Sequence, residues 1–200
     1  MGQVKAASTF INMLGVLFIV TIISGLSLGY VNTITKAPIA KAKLEKKIKA
    51  LQQVLPAFDN NPVNERILTV SDKTKDSVEL YPAYRQKTLS GIAVVGSSKK
   101  GFSGLIKLII GFDTQGSINN IAVLEQKETP GLGTKMKNLS FIQQFIGKNP
   151  SKYNLKVKKD GGEIDALTGA TISSRAFVAS VQMAYDVYKK EIDSLPKTKN

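Results

Sequence analysis

The stretch "GLIKLIIGFDTQGSINNIAVLEQKETPGLG", Gly104 to Gly133, decides the fold. Two runs rich in Val, Ile and Leu flank "DTQG", Asp113 to Gly116, whose composition marks a turn, so a β-hairpin is expected. The second run then breaks into Glu128-Thr129-Pro130-Gly131-Leu132-Gly133. Pro130 fixes one φ angle, and Gly131 and Gly133 permit conformations that other residues avoid. A strand end of this kind can lay backbone groups against a flat ligand, but taken alone it reads more simply as an ordinary turn.

Upstream, "GIAVVG" reads as a further strand, and "RILTV" and "SVELYPAY" as short ones. Downstream, "SFIQQFIG" reads as a helix with Phe141, Ile142 and Phe145 on one side. "NLKVKKDGGEIDAL" reads as a second hairpin through Asp160-Gly161-Gly162. A final helix runs through about Ile192, with Phe177, Val181, Ala184 and Tyr188 turned inward. Strands followed by helices, with no regular βαβ alternation, give an α+β fold with a mainly antiparallel sheet and packed helices.

The N-terminal part is different. No charge falls between Ala6 and Thr35, and the apolar run begins at Phe10 and reaches Tyr30. A bilayer-spanning helix needs about 20 mostly apolar residues. After a short segment, residues 1–9, a transmembrane helix is expected over 10–31. A cleaved signal peptide would have a shorter apolar region and a small-residue cleavage site, so a retained anchor is the better reading. Gly25 and Gly29 form a GxxxG step, which is either a helix-packing face or the ordinary glycine content of membrane helices. A juxtamembrane helix, 36–56, is expected between Pro38 and Pro56, with a stripe of Leu44, Ile48, Leu51 and Leu55. The folded domain then covers 57–194.

Composition limits the chemistry. The 200 residues include no Cys and no His. That removes thiolate iron–sulfur ligation, His-ligated haem, N/S zinc sites, Cys nucleophiles and His bases, and no metal site is expected. Redox work would need an organic cofactor. The net charge of +13 attracts polyanions, lipid headgroups or acidic partners. The lysines are scattered without an aromatic-interleaved stripe, so no nucleic-acid partner is expected. Lys36, Lys41, Lys43, Lys46, Lys47 and Lys49 follow the span, against Lys5 before it. Taken alone, that count places the domain in the cytoplasm, although long domains can translocate despite their charge.

One more stretch stands out: "DALTGATISSRAF", Asp165 to Phe177. Thr168, Thr171, Ser173 and Ser174 crowd a helix start, with Gly169 and Ala170 between them. One hydroxyl would suffice to cap the helix. The surplus, beside small residues and a helix dipole, also suits a phosphate or other anion, although simple capping is the more ordinary reading.

Taken in order behind one membrane span, "ETPGLG" and "DALTGATISS" resemble the FMN-binding domain family. That family is best known from flavin subunits of the Rnf ferredoxin:NAD+ oxidoreductase and of the sodium-translocating NADH:quinone reductase. The likeness covers roughly residues 90–190, the anchor and "LQQVLPAF". The resemblance implies covalent FMN, joined by a phosphoester to Thr171 within Thr168-Gly169-Ala170-Thr171. It implies that a flavin transferase recognises Asp165, and that Glu128, Thr129, Gly131, Leu132 and Gly133 pack against the flavin ring. Gln126 stands two residues before Glu128, where many members have His.

The resemblance further implies an electron-transfer subunit, inactive alone, that works among the membrane and peripheral subunits of an Rnf complex, one of them a second flavin-bearing membrane subunit. Its domain would lie outside the cytoplasm, anchored in the inner membrane. The alternatives are the corresponding quinone-reductase subunit and a non-redox, membrane-tethered anion-binding or assembly module.

Overall fold

The computed structural model describes residues 9–72 and 75–198. The chain divides into two units between Glu45 and Lys46, and each is described by itself. Of the expected N-terminal segment, residues 1–8 lie outside the described residues.

The first helix, α1, runs Phe10–Val54 with Pro38 inside it, one element where two helices, 10–31 and 36–56, are expected. A proline removes one helical hydrogen bond and strains the preceding turn. The Ala-, Lys- and Leu-rich sequence that follows is strongly helix-forming, and the helix persists through the defect. Within the first unit α1 is long and apolar enough to cross a membrane. Three of its threonine hydroxyls bond to its own backbone: Thr21 donates to the Phe18 carbonyl at 2.8 Å, Thr33 to the Gly29 carbonyl at 2.9 Å and Thr35 to the Val31 carbonyl at 2.7 Å. A helix in lipid must meet its polar groups internally in this way.

The second unit is built on a five-stranded antiparallel meander in sequence order. Its strands are β1 (Ile67–Val70), β2 (Ser77–Arg85), β3 (Thr88–Gly101), β4 (Gly104–Asp113) and β5 (Ile118–Glu125). The expected β4–β5 hairpin forms at Asp113, whose carboxylate accepts the Gln115 and Ser117 amides at 2.8 Å. The second long helix, α3 (Thr171–Glu191), lies on one face of the sheet. Phe177, Val181, Ala184 and Tyr188 are buried in one cluster with Ile92, Leu108, Ile110 and Phe112, as the helical spacing requires.

The other face is covered by the end of α1. Leu51 and Leu55 are buried there with Ala50 and Val54, against Tyr81, Ala93, Val95 and Ile109, while Leu44 and Ile48 of the expected stripe stay exposed. Covering both faces explains why the strands read as unbroken apolar runs instead of alternating ones. Two glycines set the spacing. A Cβ on Gly96 would come 2.1 Å from the Ser180 carbonyl oxygen of α3, and one on Gly111 would come 1.9 Å from the Val54 carbonyl oxygen. Lys47 then pairs with Glu79 on β2 at 2.5 Å, and Lys46 donates to the Leu124 carbonyl of β5. Burial pushes the Glu79 carboxyl up, but hydrogen bonds from Lys47 and Tyr81, with the lysine charge, outweigh it and hold the group below its ordinary range.

Two expectations change. "SFIQQFIG" contributes only the short helix α2, Leu139–Ile142, followed by turns, although Phe141, Ile142 and Phe145 are buried as expected. The hairpin expected at Asp160-Gly161-Gly162 is a 3-10 turn, Lys158–Asp160, closed by left-handed Gly161 at φ 77. Here the chain folds onto itself: the Lys158 amide donates to Ile164 and the Ile164 amide to Lys156, at 2.8 and 3.0 Å. The Val157–Ile164 bridge is parallel, which a two-stranded hairpin cannot produce.

Candidate functional site

The two motifs, some 30 residues apart in sequence, meet at one cleft. Glu128, Thr129, Leu132 and Gly133 line one side, and Gly169, Ala170, Thr171 and Ser173 the other. The cleft measures about 390 Å³, within the size range of small-molecule sites. Three lining residues were not singled out by the sequence reading: Phe102, Lys159 and Ile172. Asp165, Thr168 and Gly131 do not line it.

The hydroxyls crowded at the start of α3 divide by role. Ser174 is structural: it donates to the Ala170 carbonyl at 3.0 Å and accepts the Leu167 amide at 2.9 Å. Ser173 donates to Glu128. Neither caps the helix. The cap residue is Ala170, and no side chain bonds to the free amides there. The first helical bond is Ser174 to Ala170, at 3.0 Å, so the amides of Thr171, Ile172 and Ser173 have no acceptor among the described residues. The Thr168 and Thr171 hydroxyls likewise bond to nothing among the described residues, with Thr171 half-buried in the cleft wall. Oriented N–H donors, the positive end of a helix dipole and a nearby lysine make a setting for an anion.

Lys159 is held at the cleft by its neighbour. Asp160 forms a bidentate pair with Arg175 of α3, both contacts at 2.7 Å. The Arg175 hydrogen bond and charge hold the exposed Asp160 carboxyl below its ordinary range.

The other loop is shaped by two glycines. Gly131, at φ 75, bends the chain and its amide donates to the Thr134 hydroxyl at 3.0 Å. Gly169, at φ 73, lies where a Cβ would come 3.2 Å from Leu132, so the two motifs touch. Gln126 accepts the Glu128 amide at 2.6 Å and braces the loop. Glu128 itself is buried and turns inward. Exposed Phe102, Leu132 and Ile172 give the cleft apolar sides. A flat apolar ring with an anionic tail therefore fits the donors and walls present. Asp165 lies on the surface, paired with Lys158 at 2.8 Å, and its amide donates to Gln144 at 2.7 Å.

A donor-lined cleft at the start of α3, the helix that covers the sheet, thus faces a Pro/Gly loop. Residues 101–186 match the family model described as the FMN-binding domain. Over 82% of its length the chain is 34% identical to the G subunit of the ion-translocating oxidoreductase complex of Aliivibrio fischeri, covering 84% of that protein. It is 39% identical to the protein of the same name from Vibrio vulnificus, over 74% of this chain and 75% of that one. The chain belongs to the family of G subunits of ion-translocating oxidoreductase complexes. Among solved structures it resembles Shewanella oneidensis NqrC at 16% identity and a TM-score of 0.49, covering 68% of this chain and 76% of that one.

Proposed function

We propose that this chain is the electron-transfer subunit of an Rnf-type ion-translocating oxidoreductase complex, with FMN joined by a phosphoester to the Thr171 hydroxyl. The observation that carries the reading is the convergence of "ETPGLG" and "TGAT" on one cleft, with a free threonine hydroxyl and unbonded helix amides at its wall. FMN supplies reversible electron uptake there. The protein's part is placement. The α3 amides and Lys159 would hold the phosphate. Phe102, Leu132 and Ile172 would shield the ring, while Gly169 and Gly131 shape the backbone beneath it.

Exposed Asp165, six residues before the threonine and outside the cleft, is accessible to a flavin transferase during maturation. A covalent bond keeps the cofactor where free FMN is absent. The anchor would hold the flavin domain on the extracytoplasmic side of the inner membrane. There it would pass electrons to neighbouring subunits, including a second flavin-bearing membrane subunit.

Co-expression with a flavin transferase, followed by a denaturing gel under ultraviolet light, tests this. A fluorescent band that disappears in Thr171→Ala is expected. A dark band beside an active transferase would favour a non-redox tether. Protease applied to spheroplasts should digest the domain; protection would place it in the cytoplasm instead.

A further inference from the structure

The cleft has three walls from distant parts of the chain: the β3–β4 turn that carries Phe102, the Glu128–Gly133 loop, and the first turn of α3. One side chain touches all three. Glu128 is only 4% exposed, which is unusual for a carboxylate. Its Oε1 accepts the Ser103 amide of the β3–β4 turn at 3.0 Å. Its Oε2 accepts the hydroxyl of Ser173, itself 2% exposed, in the first turn of α3. Both partners are donors, which suits an acceptor-only carboxylate.

The surroundings are cut to this side chain. A Cβ on Gly133 would come 2.7 Å from the Glu128 Cβ and 2.8 Å from the Ser173 hydroxyl. A Cβ on Gly101 would come 2.6 Å from Glu128 Oε1. Two glycines therefore leave a slot that the carboxylate fills, and Gln126 fixes its backbone from below. An apolar residue at 128 would leave the Ser103 amide and the Ser173 hydroxyl short of an acceptor, a cost that buried polar groups carry in full.

We propose that Glu128 is the positioning residue of the site: its buried carboxylate couples the Phe102 turn to the first turn of α3, so that the ring wall and the Thr171 wall are held in register. The geometry supports this coupling whatever the ligand; its meaning for the cofactor rests on the flavin reading above.

Hydrogen exchange on the full-length chain in lipid nanodiscs tests the coupling without a cofactor. Ser173→Ala removes one donor and leaves a residue that favours helix. It should speed exchange at residues 101–104 as well as in the first turn of α3, while the turn at 113–116 stays unchanged. Glu128→Ala should speed both regions together by roughly tenfold, the scale of one lost buried hydrogen bond. Glu128→Gln keeps the shape and an acceptor oxygen and should restore most of the protection.

With FMN attached by the transferase, Glu128→Ala should retain the label but lose most of the flavin's visible circular dichroism, and Glu128→Gln should recover it. Exchange that rises at one wall only, or dichroism that survives Glu128→Ala in a labelled chain, overturns the proposal. A wild-type chain that takes no flavin yet shows the coupled exchange would overturn the flavin assignment and leave the coupling supported.

Discussion

Arg175 grips Asp160 through two parallel hydrogen bonds of 2.7 Å, and this pair places Lys159 at the mouth of the cleft. The first prediction follows from it. Arg175→Ala should lower the yield of attached FMN a few-fold at limiting transferase, because Lys159 is no longer fixed, while the melting temperature changes little for so exposed a pair. Lys159→Ala should reproduce the yield loss. Quantitative in-gel flavin fluorescence reads both.

The same pair sets a pH dependence. Because Arg175 depresses the folded-state pKa of Asp160, the contribution is present above the ordinary aspartate value of 3.8 and is lost as pH falls through the lower, folded value. An acid titration followed by chain fluorescence should show Asp160→Asn missing that acidic part of the wild-type curve, with the two proteins parallel above pH about 5.

At the other end of α3 the sign is reversed. Burial, with the Asp113 charge, pushes the Tyr188 hydroxyl up to about 12, and the hydroxyl donates to the Asp113 carbonyl at 2.9 Å. A raised pKa stabilises fully below the unfolded value of about 10 and fades as pH climbs through the folded one. Tyr188→Phe should therefore cost about 1 kcal/mol at neutral pH, and its stability should fall less than wild type between pH about 10 and about 12. Urea unfolding at a series of pH values measures this.

The glycines separate packing from backbone strain. Gly96→Ala would drive a methyl to 2.1 Å from the Ser180 carbonyl and should cost about 3 kcal/mol or more, since α3 must lift from the sheet. Gly131→Ala meets nothing within 4 Å, but at φ 75 it should cost about 1 kcal/mol from conformation alone. Thermal melts of the two variants should rank in that order.

The sequence is most legible where the physics is local. The "DTQG" turn and the inward face of α3 follow from turn chemistry and from a 3.6-residue period, and both appear as expected. The gap expected between the helices 10–31 and 36–56 does not appear, because the Ala-, Lys- and Leu-rich sequence after Pro38 is strongly helix-forming. "DGG" misled for a related reason: it is good hairpin chemistry, but a hairpin also needs two flanking strands with partners, and residues 156–164 bond among themselves.

The site was half legible. Thr171 and the Glu128–Gly133 loop were named from motifs, but the inward turn of Glu128 depends on Ser103 and Ser173, 25 and 45 residues away. Lys159 lines the cleft beside Asp160, which Arg175 of α3 holds through two hydrogen bonds. An isolated aromatic in the "KKGFSG" turn was the one available signal for Phe102.

The most direct test of the account is mass spectrometry of the protein purified from its own host. The tryptic peptide Asp160–Arg175 contains Asp165, Thr168 and Thr171. The account predicts that this peptide carries FMN in phosphoester linkage, with fragment ions placing it on Thr171. The same peptide recovered unmodified, or with flavin on Thr168, would contradict it.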